Sequence, residues 1–558
     1  MNETRPRRLL SLLGLLGLVL YILVLQFSFH FRLELSTKNR PILEVLALLL
    51  AATLVYLAAL AVVLRQPADG QDRPLTWIVV GFAVVYRLLL LPSEPIQEID
   101  FYRYLWDGRV LAAGHNPFHY SQQQIFALGE NQPEGSELRA LWQLAQQSPA
   151  LTTIFERVHH REVPTVYPPL AQVVFAATAL LVPAAAPWWL HVLALKTVLV
   201  LFDLATLGVL IALLRQLGKP TSWCLAYAWC PLALKEFANS AHLDSIAVFF
   251  TALAVYLLVR VLKEEGSLGR ACLAAGCLAL AILAKSYPVV LLLLVSTVLL
   301  ARLNWRAILP IGLIPVIVIA GYLPFATRPA GPAAEEEEGA FVSARPHHPG
   351  AGLRTFLTIW EMNDFFFMIV SENLRWDERE RTEEQPARWF VLVPAAVRES
   401  IQRSGEEVLL ESQLVGTVKD PAFGLTQLLM ATLLLSVCAL GAFAAYRRPE
   451  PETAVRGVFL TLFWGWMFAS TQNPWYLLWS LPFMVFAGQR SYFLMPGLVL
   501  LYYVRFWLEY HAAPTDTGPT EAWNYFDFTL VWFEYLPFLL ALMAELWFRS
   551  RKDRSCAS

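Results

Sequence analysis

Charge is what this chain has least of. Only 16% of its 558 residues are Asp, Glu, Lys or Arg, against about 25% in soluble domains. The signs nearly cancel, 43 basic against 45 acidic, for a formal charge of −2. No basic field awaits a polyanion, which excludes nucleic-acid binding. Cysteine is scarce too. Cys224, Cys230, Cys272, Cys277, Cys438 and Cys556 include no CxxC pair, so neither a zinc site nor a disulfide framework is indicated. Apolar residues are abundant instead: 57% of the chain is hydrophobic and the mean hydropathy is +0.49. Soluble enzymes and disordered proteins are excluded, and an all-α polytopic membrane protein is expected.

Apolar runs recur at 9–29, 42–64, 75–92, 167–183, 188–214, 222–237, 243–262, 271–286, 287–302, 307–326, 423–446, 455–471, 475–488, 491–508 and 529–548. The first follows Arg5, Arg7 and Arg8, but it is too long for a signal-peptide core and no A-x-A site ends it, so it reads as a retained span. Lys and Arg mark cytoplasmic ends. Arg5–Arg8 place the N-terminus inside, and Arg549, Arg551, Lys552 and Arg554 place the C-terminus inside. Counting from both ends leaves one run too many between the outer 93–166 loop and the inner Arg215. The uncharged Pro183–Pro187 link and the Tyr167-Pro168-Pro169 start single out 167–183 as an outer juxtamembrane or re-entrant helix. About 14 transmembrane helices are then expected. The divisions are an accessory N-terminal hairpin over 1–74, a core over 75–326, a second long outer loop over 327–422 and C-terminal helices over 423–558. That second loop carries the acidic run Glu335–Glu338, a charged stretch from Glu372 to Glu384, and an aromatic segment Phe356–Ile369 that reads as an amphipathic interfacial helix.

Chemistry-bearing residues gather on the outer side. Glu98, Asp100, Arg103, Trp106, Asp107 and Arg109 fall just after the third run. A carboxylate at a helix end there can serve as a general base, and Glu98 with Asp100 can bind a divalent cation through oxygen. An interfacial belt of aromatics and charges explains the same composition. Asn116 lies in turn chemistry, Gly114-His-Asn-Pro. His159 and His160 are adjacent and point apart in regular structure, which disfavours a shared metal. His242 and Asp244 sit in a polar outer hairpin, where capping is the alternative role. Lys285 and Tyr287 occupy another hairpin, suited to a phosphate or to snorkelling. Lys196 and Asp203 share one face of the 188–214 run, as a relay or a buried structural pair. Gln472, Asn473, Trp475 and Tyr476 offer amides and flat rings to a sugar.

Several of these strings, taken in order, resemble polyprenyl-phosphate-mannose-dependent mannosyltransferases of the GT-C fold. They are Asp100-Phe-Tyr-Arg-Tyr-Leu-Trp-Asp-Gly-Arg-Val, Gly114-x-Asn116-Pro-Phe, Glu162-Val-Pro-Thr-Val-Tyr167-Pro-Pro-Leu-Ala-Gln172, Ser-x-His242-x-Asp244, Lys285-x-x-Pro288, Trp360-x-x-Asn363-Asp-Phe and Asn473-Pro-Trp475-Tyr476. The resemblance covers about residues 75 to 510. It departs in having Glu98/Asp100 where the family has Asp-x-Asp, and three runs before the loop rather than one.

The resemblance implies an integral membrane protein with its active site on the outer face, and the short loops and Ala/Leu/Arg-rich composition point to a bacterial cytoplasmic membrane. It would transfer a hexose, by resemblance mannose, from a lipid-linked donor to a glycan or lipid acceptor. Asp100 would be the base, with Glu98 second. Lys285, His242, Arg103, Arg109 and Tyr287 would meet the donor phosphate. Trp106, Asp107, Asn116, Tyr167, Asp244, Trp360, Asn363, Gln472, Asn473, Trp475 and Tyr476 would line the substrate site. No cofactor is required, and a Mg or Mn ion at Glu98 and Asp100 stays open. A transporter or flippase of a lipid-linked glycan is the runner-up, and a non-catalytic assembly subunit the third reading.

Overall fold

The computed structural model describes residues 4–66, 72–264, 267–326, 346–348, 350–376, 388–411, 419–511 and 519–557. The Glu335–Glu338 run lies outside them. The described residues are helical, and they contain no strand beyond a single bridge between Met362 and Thr471. Nine of their helices are long and apolar enough to cross a membrane: Arg5–Phe31, Thr37–Val63, Arg73–Leu90, Trp188–Gln216, Asp244–Lys263, Tyr287–Phe325, Pro421–Arg447, Ser491–His511 and Ala522–Arg551. The chain is an all-α integral membrane protein.

The nine do not map one-to-one onto the expected 14 runs. Tyr287–Phe325 holds two of those runs, and the chain bends between them at Asn304, whose φ is 53°. The 271–286 run is the 17-residue helix Leu268–Ala284, and the 455–471 run is matched by the 17-residue Pro451–Met467. The 222–237 and 475–488 runs are not continuous α-helices. Pro231 interrupts the first, which passes from a 3-10 turn through two short α-turns into a π-helical segment, Leu234–Asn239. The second is a string of 3-10 turns, Pro474–Trp479 and Leu481–Phe486. Both are buried inside the bundle, where irregular backbone is tolerated because protein rather than lipid surrounds it.

The Pro169–Leu180 helix has 12 residues. At 1.5 Å per residue it is too short to cross about 30 Å of hydrocarbon. It packs on Phe101–Ala112 instead, with Tyr104 stacked on Phe175 at 4.9 Å. The aromatic segment 356–369 is not one helix. Ala351–Ile359 stops at Trp360, and Phe366–Leu374 starts after a link in which Asn363 has φ 50°. The break follows from main-chain pairing: Met362 N–H donates to Ser470 O, and Gln472 N–H to Met362 O.

One apolar core runs from Leu10 to Leu542, and the N-terminal pair is part of it. The Tyr56 hydroxyl donates to Ala226 O at 2.9 Å. Lys196 and Asp203 do not pair with each other. Arg87 donates to both oxygens of Asp203, at 2.5 and 3.1 Å, and Tyr227 donates to Asp203 Oδ1 at 2.6 Å. Lys196 Nζ donates to Leu90 O, Ser93 O and Ser93 Oγ. These groups lie in fully buried sites, so the fork geometry and the extra donors are what make the charges tolerable.

Gly108 is where the Phe101–Ala112 and Pro169–Leu180 helices come closest. A Cβ there would stand 2.5 Å from Phe175 O, a backbone atom that cannot swing away. Gly108→Ala is expected to destabilise this helix pair by about 1–3 kcal/mol, the usual cost of overpacking. A drop in the thermal midpoint in detergent, absent for Gly208→Ala where the space is open, checks it.

Candidate functional site

The site begins with Asn239, at the end of the π-helical segment. Its amide takes hold of the loop ahead of the Phe101–Ala112 helix at three points. Oδ1 accepts from Ile96 N–H at 2.9 Å, and Nδ2 donates to Ser93 Oγ at 2.8 Å and Glu94 O at 2.7 Å. Gln97, at φ 61°, then turns the chain toward Glu98 and Asp100. Asp100 occupies the helix N-cap position but makes no capping bond. Its carboxylate accepts instead from the Tyr167 hydroxyl at 3.4 Å. Tyr167 comes from the entry to Pro169–Leu180, so the two halves of the 93–166 loop region meet at Asp100.

Glu98 is 9% exposed. Burial holds its carboxyl well above the usual carboxylate range, Glu236 and Asp100 add to that, and Lys235 opposes it. Burial thus disfavours the charged form of Glu98, while Asp100 accepts one hydrogen bond from a phenol. Among the described residues no group of three His, Cys, Asp or Glu side chains could hold a metal ion.

Beside these acids lies an aromatic strip from the Pro474–Trp479 turns. His242 stacks on Trp475 with ring centroids 4.2 Å apart. Tyr287 stacks on Trp479 at 4.1 Å, nearly parallel, and Tyr476 stacks on Trp479 at 4.5 Å. Lys285 Nζ lies 4.5 Å from the Tyr476 ring centroid and 2.9 Å from Asp244 Oδ2. Trp479 Nε1 donates to the other Asp244 oxygen at 2.5 Å. Tyr104 ties the two groups together: burial raises its phenol, and the charges of both Asp100 and Asp244 add to the shift. The structure therefore brings Glu98, Asp100, Tyr167, His242, Asp244, Lys285, Tyr287, Trp475 and Tyr476 into one neighbourhood.

Gln472, Asn473 and Asn363 adjoin it through the Met362–Thr471 bridge, with Asn363 Nδ2 donating to Gln472 O at 3.1 Å. The side-chain oxygens of all three are buried without a partner. Trp360 is farther out, packed on His160 and on Phe356, which in turn reaches Tyr476 at 6.5 Å.

Other expected residues have structural partners away from the strip. Arg103 donates to His159 O, His160 O, Val163 O and Gln122 Oε1, tying the loop to the helix. Arg109 contacts Val182 O and His191. Trp106 packs edge-on against Phe155. Asn116 donates to His119 and to Phe325 O. Asp107 is buried beside Gln172 and Thr165. Sequence reasoning missed Lys235, Glu236, Trp479 and Tyr503. The signal was present for the first two: a lysine and a glutamate side by side in an apolar run are costly unless they are used.

No protein-family model, curated protein or solved structure matches the chain.

Burial pushes the Asp107 carboxyl up to about 6, against the pull of Arg103, Thr165 and Gln172. The folded chain therefore keeps this proton to higher pH than the unfolded chain does. The stability that this supplies is present below the ordinary carboxylate range and is lost as pH rises from about 4 to about 6. Asp107→Asn should remove the loss. The wild-type midpoint minus that of the variant, followed across this window in detergent, should fall with rising pH.

Proposed function

We propose that the protein is a membrane glycosyltransferase. It moves a hexose, by resemblance mannose, from a polyprenyl-phosphate donor to an acceptor hydroxyl on the outer face of a bacterial cytoplasmic membrane, within a GT-C-like fold. One observation carries the reading: an acid free of capping, Asp100, shares a neighbourhood with a cation, Lys285, set against stacked rings. Transfer from a lipid phosphate needs those three things. A base must take the acceptor proton, a cation must meet the departing phosphate, and flat apolar faces must hold the sugar's C–H patches.

The chemistry is a single displacement. The acceptor oxygen attacks the anomeric carbon while Asp100 takes its proton. The bond to the phosphate oxygen breaks and the anomeric centre inverts. One carboxylate suffices, unlike in a retaining glycosidase. The Tyr167 hydroxyl steadies Asp100 without consuming its second oxygen. Trp475, Tyr476 and Trp479 form the sugar platform, and the unpartnered oxygens of Asn363, Gln472 and Asn473 are acceptors for sugar hydroxyls. Arg103, Arg109, Trp106 and Asn116 then act by holding the outer loop in shape.

The transporter reading predicts polar groups at mid-membrane that face a pathway. Arg87 and Asp203 are closed on each other, and Lys196 on carbonyls, which favours structural roles for them.

Asp100→Asn keeps size and loses the base. Turnover of polyprenyl-phosphate mannose should fall by about 10²–10⁴-fold with donor affinity unchanged. A variant that retained more than about a tenth of the wild-type rate would remove Asp100 from the role.

Lys285→Met is expected to weaken donor binding. In the double variant with Asp244→Asn the carboxylate is no longer left without its partner, and donor binding should stay weak. Recovery of wild-type affinity in the double variant would mean that Lys285 serves only to neutralise Asp244.

A further inference from the structure

His242 has one close charged partner, Glu236, and that residue carries no motif. Glu236 is fully buried in the π-helical segment. The Tyr503 hydroxyl donates to its Oε1 at 2.7 Å, and Lys235 Nζ lies 3.2 Å from its Oε2. The same Oε2 is 3.2 Å from His242 Nε2, and Glu98 stands off at 4.0 Å. The imidazole is 1% exposed and lies flat on Trp475; Nε2 stands at ion-pair distance from Glu236 without an aligned hydrogen bond, and Nδ1 has no hydrogen-bond partner of its own. The backbone beside it is held unusually, with Ala241 at φ 61°. A left-handed alanine persists only where its surroundings enforce it, and such positions cluster at functional sites.

A carboxylate beside one ring nitrogen keeps a proton there and fixes which nitrogen is left for other work. Nδ1 is that nitrogen. It is buried and unused by the protein, next to the aromatic strip on which Lys285 also rests.

We propose that Glu236 is a positioning residue: it holds the Nε2 proton of His242 and so reserves Nδ1–H of the imidazolium for an anionic phosphate oxygen, with Lys285 as companion cation. The recognised chemistry is a phosphate monoester or diester. This rests on the lipid-phosphate reading of the site and adds a device to it. Lys235 and Tyr503 orient Glu236 in turn, so four residues serve one hydrogen bond.

The test uses the full chain in detergent, with polyprenyl monophosphate as one probe and inorganic phosphate as the other, and dissociation constants measured between about pH 5 and pH 8, the range in which imidazole titrates. Wild-type binding of the lipid phosphate should weaken as pH rises. In Glu236→Gln it should be weaker by about tenfold, the lower end of what losing a histidine's orienting partner costs. The midpoint of its pH profile should also move down, and Glu236→Asp should recover part of both. His242→Asn should flatten the profile. Lys235, Glu98, Asp100, Asp244, Lys285 and Tyr503 face the same space and stay in every one of these variants, so the differences belong to the pair.

Where Glu236→Gln fails to fold, Tyr503→Phe frees Glu236 Oε1 without stranding a charge, and it should move the midpoint the same way by less. Inorganic phosphate showing the same Glu236 dependence supports recognition of the headgroup alone. Lipid phosphate binding with that dependence while inorganic phosphate does not bind supports a lipid ligand. An unchanged affinity and midpoint in a folded Glu236→Gln, or a wild type that binds neither probe, overturns the proposal. Lipid-phosphate binding that depends on Glu236 but is never followed by sugar transfer would leave this inference standing and remove glycosyl transfer. Transfer with Glu236-independent binding would do the reverse.

Discussion

The hold of Asn239 on Ser93, Glu94 and Ile96 is the contact on which the candidate site depends. It joins the irregular segment inside the bundle to the loop that carries the acids. A single amide does this with both of its ends, which no apolar residue could. Its cost is the burial of an amide with 0% exposure, met by full use of its hydrogen-bonding capacity. Around it the chain accepts left-handed residues at Gln97 and Ala241, on the two strands of backbone that Asn239 brings together. Strain of this kind persists only where neighbouring contacts over-determine the conformation.

At three places buried charge is resolved in pairs. Arg87 closes on Asp203, Lys235 on Glu236, and Lys285 on Asp244. The first pair is saturated by a two-point fork and by donors from Tyr227 and a carbonyl acceptor at Ala228. The third is not. Lys285 keeps a side chain 16% exposed and a face on the Tyr476 ring. The distinction between a structural and a working ion pair is visible in that difference of saturation, because a cation with donors left over can take a second anion without abandoning the first.

Much of this was legible in the sequence. The apolar runs gave the membrane class, since nothing else tolerates so little charge. The Tyr167-Pro168-Pro169 start marked a short helix that packs beside Phe101–Ala112, and Pro-fixed entry is a local property that tertiary context does not override. The polar hairpins at His242–Asp244 and Lys285–Tyr287 drew notice because polar groups in apolar surroundings are costly. What was not legible depended on partners distant in the chain. Hydropathy alone cannot tell a lipid-facing helix from a buried, broken one, so it did not show that 222–237 and 475–488 are irregular segments wrapped by protein. For Asp203 the sequence left open a pairing with Lys196 or with a neighbour, and it could not show that the neighbour is Arg87, more than a hundred positions away. The 356–369 segment kept a helical apolar pattern, and main-chain pairing with 470–472 overrode it.

The electrostatics of the site favour an anionic ligand over a cationic one. Glu236 and Asp244 are each committed to a lysine, and the burial of Glu98 favours its neutral form. Asp100 accepts from the Tyr167 hydroxyl alone, so its second oxygen has capacity left. Donors are in better supply. Lys285 has hydrogens beyond the one it gives Asp244, His242 Nδ1 is without a partner, and Tyr476 adds a hydroxyl, whereas the Tyr287 hydroxyl is shared with Thr251. A lysine and a histidine near an acid that is not part of the cationic group suit the proposed chemistry, in which a leaving phosphate is met at one end and a proton removed at the other.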